Sequence, residues 1–198
     1  MKTIGITGGI GAGKSTVLDY IKDNYNAHII IADILAYELE SPGGICYDSI
    51  VELLGSEILK DDGYIDKKRM ASGIFKDPEL LKQVNGIIHP AVKEHILSTI
   101  SRERSAGRYD YLIVEAALLI EEGYESILDE LWYVRTDPEI RRKRLKVSRG
   151  YSDEKIDSIF SSQLSDTEYA AKCKVIIDNS GNPEEAFKQI DNALSPQT

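Results

Sequence analysis

Five short apolar runs punctuate the chain: Thr3–Thr7, His28–Ala32, Tyr111–Glu115, Leu131–Arg135 and Lys174–Asp178. Four are continuous rather than alternating, as strands covered on both faces of a parallel sheet must be. Between the runs the apolar positions change to helical spacing. From Thr16 to Lys22, Val17, Leu18 and Ile21 fall on one face. Strands alternating with helices predict an α/β fold with a parallel sheet of about five strands, flanked by helices.

Positions 33–110 separate the second run from the third, far more chain than one crossover helix needs. The spacing predicts helices over Ile34–Glu40, Tyr47–Leu54, Lys67–Phe75, Pro78–Ile88 and Pro90–Arg104. Turns fall at Ser41-Pro42-Gly43-Gly44 and Asp61-Asp62-Gly63. His89-Pro90 is expected to break the fourth helix from the fifth, because the residue before proline is pushed out of helical geometry and proline suits a helix start. The expected organisation is a core of residues 1–33, 105–135 and 173–198, a helical insert of residues 34–104 that holds an acceptor, and a lid at residues 136–172. The lid contains a second helix around Glu154–Leu164, and Ser195–Thr198 is expected to fray.

Composition sharpens this. With 198 residues, 42% of them hydrophobic, the chain is globular and long enough for a substantial core. It has no apolar stretch long enough to span a bilayer. The first strand begins almost at once, leaving no room for a secretory signal. Cys46 and Cys173 belong to no CxxC or metal-spaced group, so two buried thiols in a reducing cytoplasm are expected, with a disulfide left open.

The net charge of −9 argues against broad binding to nucleic acid or anionic membranes. Yet positions 135–149 hold Arg135, Arg141, Arg142, Lys143, Arg144, Lys146 and Arg149 against only Asp137 and Glu139. This local charge of +5 leaves −14 on the rest of the chain and suggests a small anionic ligand.

Gly8-Gly9-Ile10-Gly11-Ala12-Gly13-Lys14-Ser15 follows the first strand and opens the first helix. Strand, glycine-rich loop and helix form the context a G-x-x-x-x-G-K-S phosphate loop needs. The glycines let backbone N–H groups turn toward a polyphosphate at the positive end of the helix. Gly9 to Ser15 and Thr16 are therefore the candidate nucleotide contacts. Lys14 supplies a mobile charge for the outer phosphates, and the Ser15 hydroxyl a ligand for phosphate-bound Mg²⁺. The expected substrate is a nucleoside triphosphate, and the fold that of a phosphate-loop NTPase.

Asp33 is expected to close the second strand, at the sheet edge where ligands of doubly wound folds bind. There its carboxylate can take the proton of an attacking hydroxyl or help hold Mg²⁺; the other reading is an N-cap for a helix starting at Ile34. Glu115 closes the third strand and resembles an acid that supports the metal. Arg141 and Arg144 are neighbours at i, i+3 and can reach together toward a ligand, with charge stabilisation assigned chiefly to Arg144. Arg142 and Lys143 are assigned to a solvated face paired with Asp137 and Glu139. Asp178-Asn179-Ser180-Gly181 forms a turn that can border the adenine.

Together these segments resemble the bacterial dephospho-coenzyme A kinase family. The phosphate loop, Ala32-Asp33 with Ala36, Asp62-Gly63-Tyr64-Ile65-Asp66, Ile74-Phe75, Asn85 with His89-Pro90, Leu118-Leu119-Ile120-Glu121 and Val175 to Gly181 carry the likeness. The resemblance implies ATP-dependent phosphorylation of the ribose 3′-hydroxyl of dephospho-coenzyme A. It further implies Asp33 as base, Lys14 and Arg144 as further catalytic groups, Arg144 and Asn179 as nucleotide contacts, and Asp33, Asn85, His89 and Leu118 as acceptor contacts. The implied setting is cytoplasmic, with ATP and Mg²⁺, as a monomer or weak homo-oligomer. The chain departs from the family pattern at Lys67, Ala117, Ser148 (with Arg149 displaced by one), Ile159, Tyr169 and Lys174. The alternative is another small-molecule kinase of the same fold. A hydroxyl acceptor fits better than a phosphate acceptor, since Arg69, Arg102 and Arg104 are the insert's only candidate arginines. A GTP switch lacks its Asn-Lys-x-Asp motif, and the one Asp-x-x-Gly match, Asp178 to Gly181, lies at the wrong end.

Overall fold

The computed structural model describes residues 1–74 and 77–195. Phe75, at the end of an expected helix, and residues 196–198 of the expected frayed tail lie outside them. In chain order the elements are β1 (Lys2–Thr7), α1 (Lys14–Asn24), β2 (Ala27–Ile31), α2 (Ala32–Leu39), α3 (Tyr47–Leu54), α4 (Lys67–Ile74) and α5 (Pro78–Ala106). There follow β3 (Tyr111–Glu115), β4 (Glu130–Arg135), α6 (Pro138–Arg149), α7 (Asp153–Ser161), α8 (Asp166–Lys172), β5 (Val175–Asp178) and α9 (Pro183–Leu194).

The strands form one five-stranded parallel sheet in the order β2-β3-β1-β4-β5. Ile6 pairs in register with Glu115, and Thr7 with Tyr133, so the chain leaving β1 emerges beside the carboxyl ends of both neighbours. The continuous apolar runs have the burial they imply: Ile4, Ile6, Leu112, Ile113, Val114, Trp132 and Val134 are fully covered. On the flanking helices Val17 and Ile21 of α1, and Ala186 and Ile190 of α9, are equally buried.

The chain divides into two compact units, Met1–Ile29 with Glu103–Thr198, and Ile30–Arg102. The first holds most of the sheet together with α1 and α6 to α9. The second is helical and has its own apolar centre, including Leu35, Ile50, Ile58, Ile65, Met70 and Val84.

Three local expectations are corrected. The second strand ends at Ile31, not Ala32: Ile31 is the last extended residue (φ −99°, ψ 110°) and Ala32 opens α2. Asp33 therefore neither ends a strand nor caps a helix. It is the second residue of α2, whose N-cap position is Ile31. An acid in that first turn suits the positive end of the helix.

His89-Pro90 does not break the helix. α5 runs without interruption through Pro90 to Ala106. Val84, Ile88, Val92, Ile96 and Ile100 recur every four residues across the proline, and all are buried. Burying that stripe outweighs the local cost of one lost hydrogen bond and a crowded ring. The third correction is between α6 and β5, where two helices stand instead of one. Ser165 closes a capping box with Glu168 and starts α8 four residues after α7 ends.

Candidate phosphate-binding site

The site grows from the turn between β1 and α1. Gly13 occupies the N-cap position of α1 in left-handed geometry (φ 84°, ψ 32°), which only glycine adopts without strain. Among the described residues no side chain caps α1, and no acid lies in its first turn. Its leading N–H groups thus face the loop with the positive helix end behind them, the electrostatics an anion seeks. Ser15 is exposed on this turn, while Lys14 is half-buried. The Lys14 ammonium donates to the Gly8 carbonyl at 2.8 Å and lies 3.5 Å from Glu115 Oε1. Glu115, at the end of β3, thus pairs with Lys14.

The carbonyls of the loop are braced by side chains from distant segments. Arg141 Nε donates to the Ile10 carbonyl at 2.9 Å. Arg144 Nη1 reaches the Gly11 and Ala12 carbonyls at 3.4 Å each, and its Nη2 donates to the Asn179 carbonyl at 3.0 Å. The Ala12 carbonyl also accepts from Thr136 Oγ1 and from Asn179 Nδ2, both at 2.9 Å. Asn179 is 3% exposed and Thr136 1%. Three successive loop carbonyls, of Ile10, Gly11 and Ala12, are held in this way.

The basic stretch divides by role. Arg141 is buried on the face of α6 that also buries Leu145. Arg142 pairs with Asp153 at 2.9 Å, Asp157 at 2.5 Å and Glu139 at 3.8 Å, and Lys143 is exposed. Asp137 is not among these partners, because its carboxylate caps α6 by accepting from the Glu139 N–H. Lys146 is tied to Asp153 at 2.7 Å. At Ser148 the hydroxyl turns back to the Arg144 carbonyl.

Of the residues singled out by sequence, the loop, Lys14, Ser15, Thr16, Glu115, Arg144 and Asn179 gather in the first compact unit. Leu118 belongs to the same unit and is 47% exposed, beside a fully buried Leu119. Asp33, Asn85 and His89 belong to the second unit. Asp33 is exposed, whereas Asn85 and His89, four residues apart on α5, are both half-buried. Cys46 and Cys173 are free and buried. Burial pushes the Cys173 thiol up to about 11, and it raises Cys46 with help from Glu40.

Thr136 and Gln163 escaped the sequence reading. A lone polar residue after a strand and one near a helix end give no local signal, since their partners are more than a hundred and about twenty positions away.

A sequence model described as "Dephospho-CoA kinase" matches residues 2–185. A dephospho-CoA kinase of Geobacter sulfurreducens is 38% identical over 191 residues, covering 96% of each chain. One of Oceanobacillus iheyensis is 35% identical, with 96% of this chain and 95% of that one covered. Among solved structures, TT1252 from Thermus thermophilus superposes with a TM-score of 0.82 at 27% identity, covering 100% of this chain and 98% of that one.

Proposed function

The chain belongs to the dephospho-CoA kinase family, and we propose that it transfers the γ-phosphate of ATP to the ribose 3′-hydroxyl of dephospho-CoA, the last step of coenzyme A synthesis. The observation that carries this is the braced phosphate loop at the uncapped start of α1, in a chain matched to the family across residues 2–185.

Phosphoryl transfer needs alignment and charge neutralisation more than covalent chemistry. The N–H groups from Gly9 to Thr16 hold the phosphates, and Lys14 exchanges its contact with Glu115 for the outer phosphate oxygens. Arg144, fixed through the Gly11, Ala12 and Asn179 carbonyls, brings a guanidinium to the charge that develops in transfer. Ser15 is the residue that would hold Mg²⁺, which when bound would neutralise phosphate charge. Its exposed hydroxyl at the first turn of α1 fits that role. Asp33 accepts the proton of the ribose hydroxyl. Asn85 and His89, in a helical insert of residues 34–104 that serves as the acceptor domain, contact the coenzyme together with Leu118 of the core, and residues 136–172 act as a lid. The setting is cytoplasmic and the working form a monomer or weak homo-oligomer. Among the described residues no helix is long and apolar enough to cross a membrane.

A coupled ADP-release assay with Mg-ATP and dephospho-CoA, adenosine, AMP or CMP tests the reading. Turnover is expected with dephospho-CoA above all others; faster turnover on a different acceptor overturns it in favour of another kinase of the same fold.

A further inference from the structure

Arg141 is 7% exposed. Helical spacing places it in the apolar stripe of α6, one turn before Leu145. Its guanidinium lies against the main chain of the phosphate loop so closely that a Cβ on Gly9 would collide with it. Two bonds orient it: Nε to the Ile10 carbonyl at 2.9 Å, and Nη2 to Gln163 Oε1 at 2.5 Å. The Phe160 ring lies 4.2 Å from its Cζ. Phe160 is on α7 and Gln163 follows it, so the guanidinium joins that segment to the loop.

The charge balance is unusual. A buried guanidinium is ordinarily paired with a carboxylate, because an unpaired buried charge is costly. Arg142, one residue along, has three such partners. Arg141 has none within ion-pair distance among the described residues. Both of its acceptors are neutral. The facing carboxylate, Asp166, is already engaged by the Tyr133 hydroxyl at 2.6 Å and by Arg135 at 3.2 Å. Burial pulls the Arg141 guanidinium below its ordinary pKa, opposed only by longer-range attraction to Tyr133, Tyr169 and Asp166. Three of its five N–H bonds have no acceptor among the described residues, including both on Nη1.

We propose that Arg141 is a nucleotide-binding residue whose missing counter-charge is the polyphosphate of the bound triphosphate, with Gln163 positioning its guanidinium over the loop. This rests on the loop being the nucleotide site, but not on the identity of the acceptor. A role confined to bracing the Ile10 carbonyl needs no anion. A role in neutralising phosphate needs the charge, and extends to any polyphosphate whether or not a nucleoside is attached.

The test is direct binding, without acceptor, of Mg-ATP and of inorganic triphosphate to the full chain, by calorimetry, with thermal midpoints recorded in parallel. Arg141→Met should weaken both ligands by roughly tenfold to a hundredfold, the value of one or two charge-assisted hydrogen bonds. Arg141→Lys should recover part of that loss, and Gln163→Leu should weaken both ligands less than Arg141→Met does. In steady state the loss should appear in KM for ATP, with KM for dephospho-CoA unchanged at saturating ATP. If Arg141→Met binds both ligands within twofold of the parent chain, or if only its midpoint falls, the proposal is overturned. Should that variant not fold, Arg141→Lys and Gln163→Leu decide alone, and parent-like affinity for triphosphate in both overturns it. Failure of the acceptor assignment shows separately, as strong triphosphate binding without turnover on dephospho-CoA.

Discussion

Side chains a few positions apart in the basic stretch 135–149 have unlike work, and their partners divide them. Arg142 is satisfied chiefly by the Asp153 and Asp157 carboxylates of α7, while Arg141 and Arg144 are aimed at main-chain carbonyls of the phosphate loop. A charge count over the segment sees one positive island; helical phase, read through Leu145, tells which member turns inward. Asp33 makes the opposite case. Its place in the fold was not legible in the sequence, because alanine follows a strand and opens a helix equally well. As the second residue of α2, with Ile31 at the N-cap, Asp33 makes no capping bond, so its loss should cost little stability. Asp33→Asn removes the charge and the basic lone pair while keeping the size. Its unfolding free energy should fall by no more than about 1 kcal/mol, the value of an acid near a helix start. Its affinity for Mg-ATP should hold, and kcat should drop by about 10²–10⁴, the usual worth of a positioned general base. Near-normal kcat in the folded variant would remove Asp33 from proton transfer.

Among elements, those defined by local periodicity were readable and those defined by competition were not. α3 agrees with its expected bounds to the residue, because Ile50, Leu53 and Leu54 mark a face and Gly55 stops the helix. β3 agrees equally well, being a continuous apolar run. α5 reads as two helices in the sequence because a local rule, helix breaking at His89-Pro90, met a longer-range one, the four-residue stripe from Val84 to Ile100. The phosphate loop was read at once, since its residue types and order are the signal. Its bracing by Thr136, Arg141, Arg144 and Asn179 is a product of the folded chain alone. The α5 conflict has a measurable residue. Pro90 is exposed, donates no hydrogen bond to the Gly86 carbonyl, and crowds it. Pro90→Ala restores that bond and a better helix former, at the cost of a more flexible unfolded chain. Equilibrium urea unfolding should show a gain of about 1–2 kcal/mol. A loss would mean that the proline stabilises α5, contrary to its interior position.

For the molecule as a whole, an acidic chain is held together at one sheet edge by a carboxylate. Glu130 opens β4 at the end of the sheet opposite the phosphate loop, with its side chain 5% exposed. Its Oε1 pairs with Lys2 at 2.9 Å and with Lys174, and its Oε2 accepts from Trp132 Nε1 at 3.1 Å. Lys2 begins β1 and Lys174 immediately precedes β5, so one carboxylate ties three neighbouring strands. Burial by itself raises the pKa of Glu130. The donors from Lys174, Trp132 and Lys2 outweigh it and leave the group below its ordinary value of 4.5. Because the folded value is the lower one, Glu130 contributes its full stability above pH 4.5, and that contribution is lost as pH falls through the folded value. Asp129 and Asp178, also held below their ordinary values, act in the same sense. Stability should therefore be flat near neutrality and decline on acidification below pH 4.5. Glu130→Gln, neutral at every pH, should lower stability at pH 7 and flatten the acid decline, since one of the groups that must take up a proton is gone. Urea unfolding of both proteins at pH 7, 5, 4 and 3 measures the two slopes. Parallel curves for parent and variant over the acid range would show that Glu130 has the same proton affinity folded and unfolded, its donors doing no more than offset its burial.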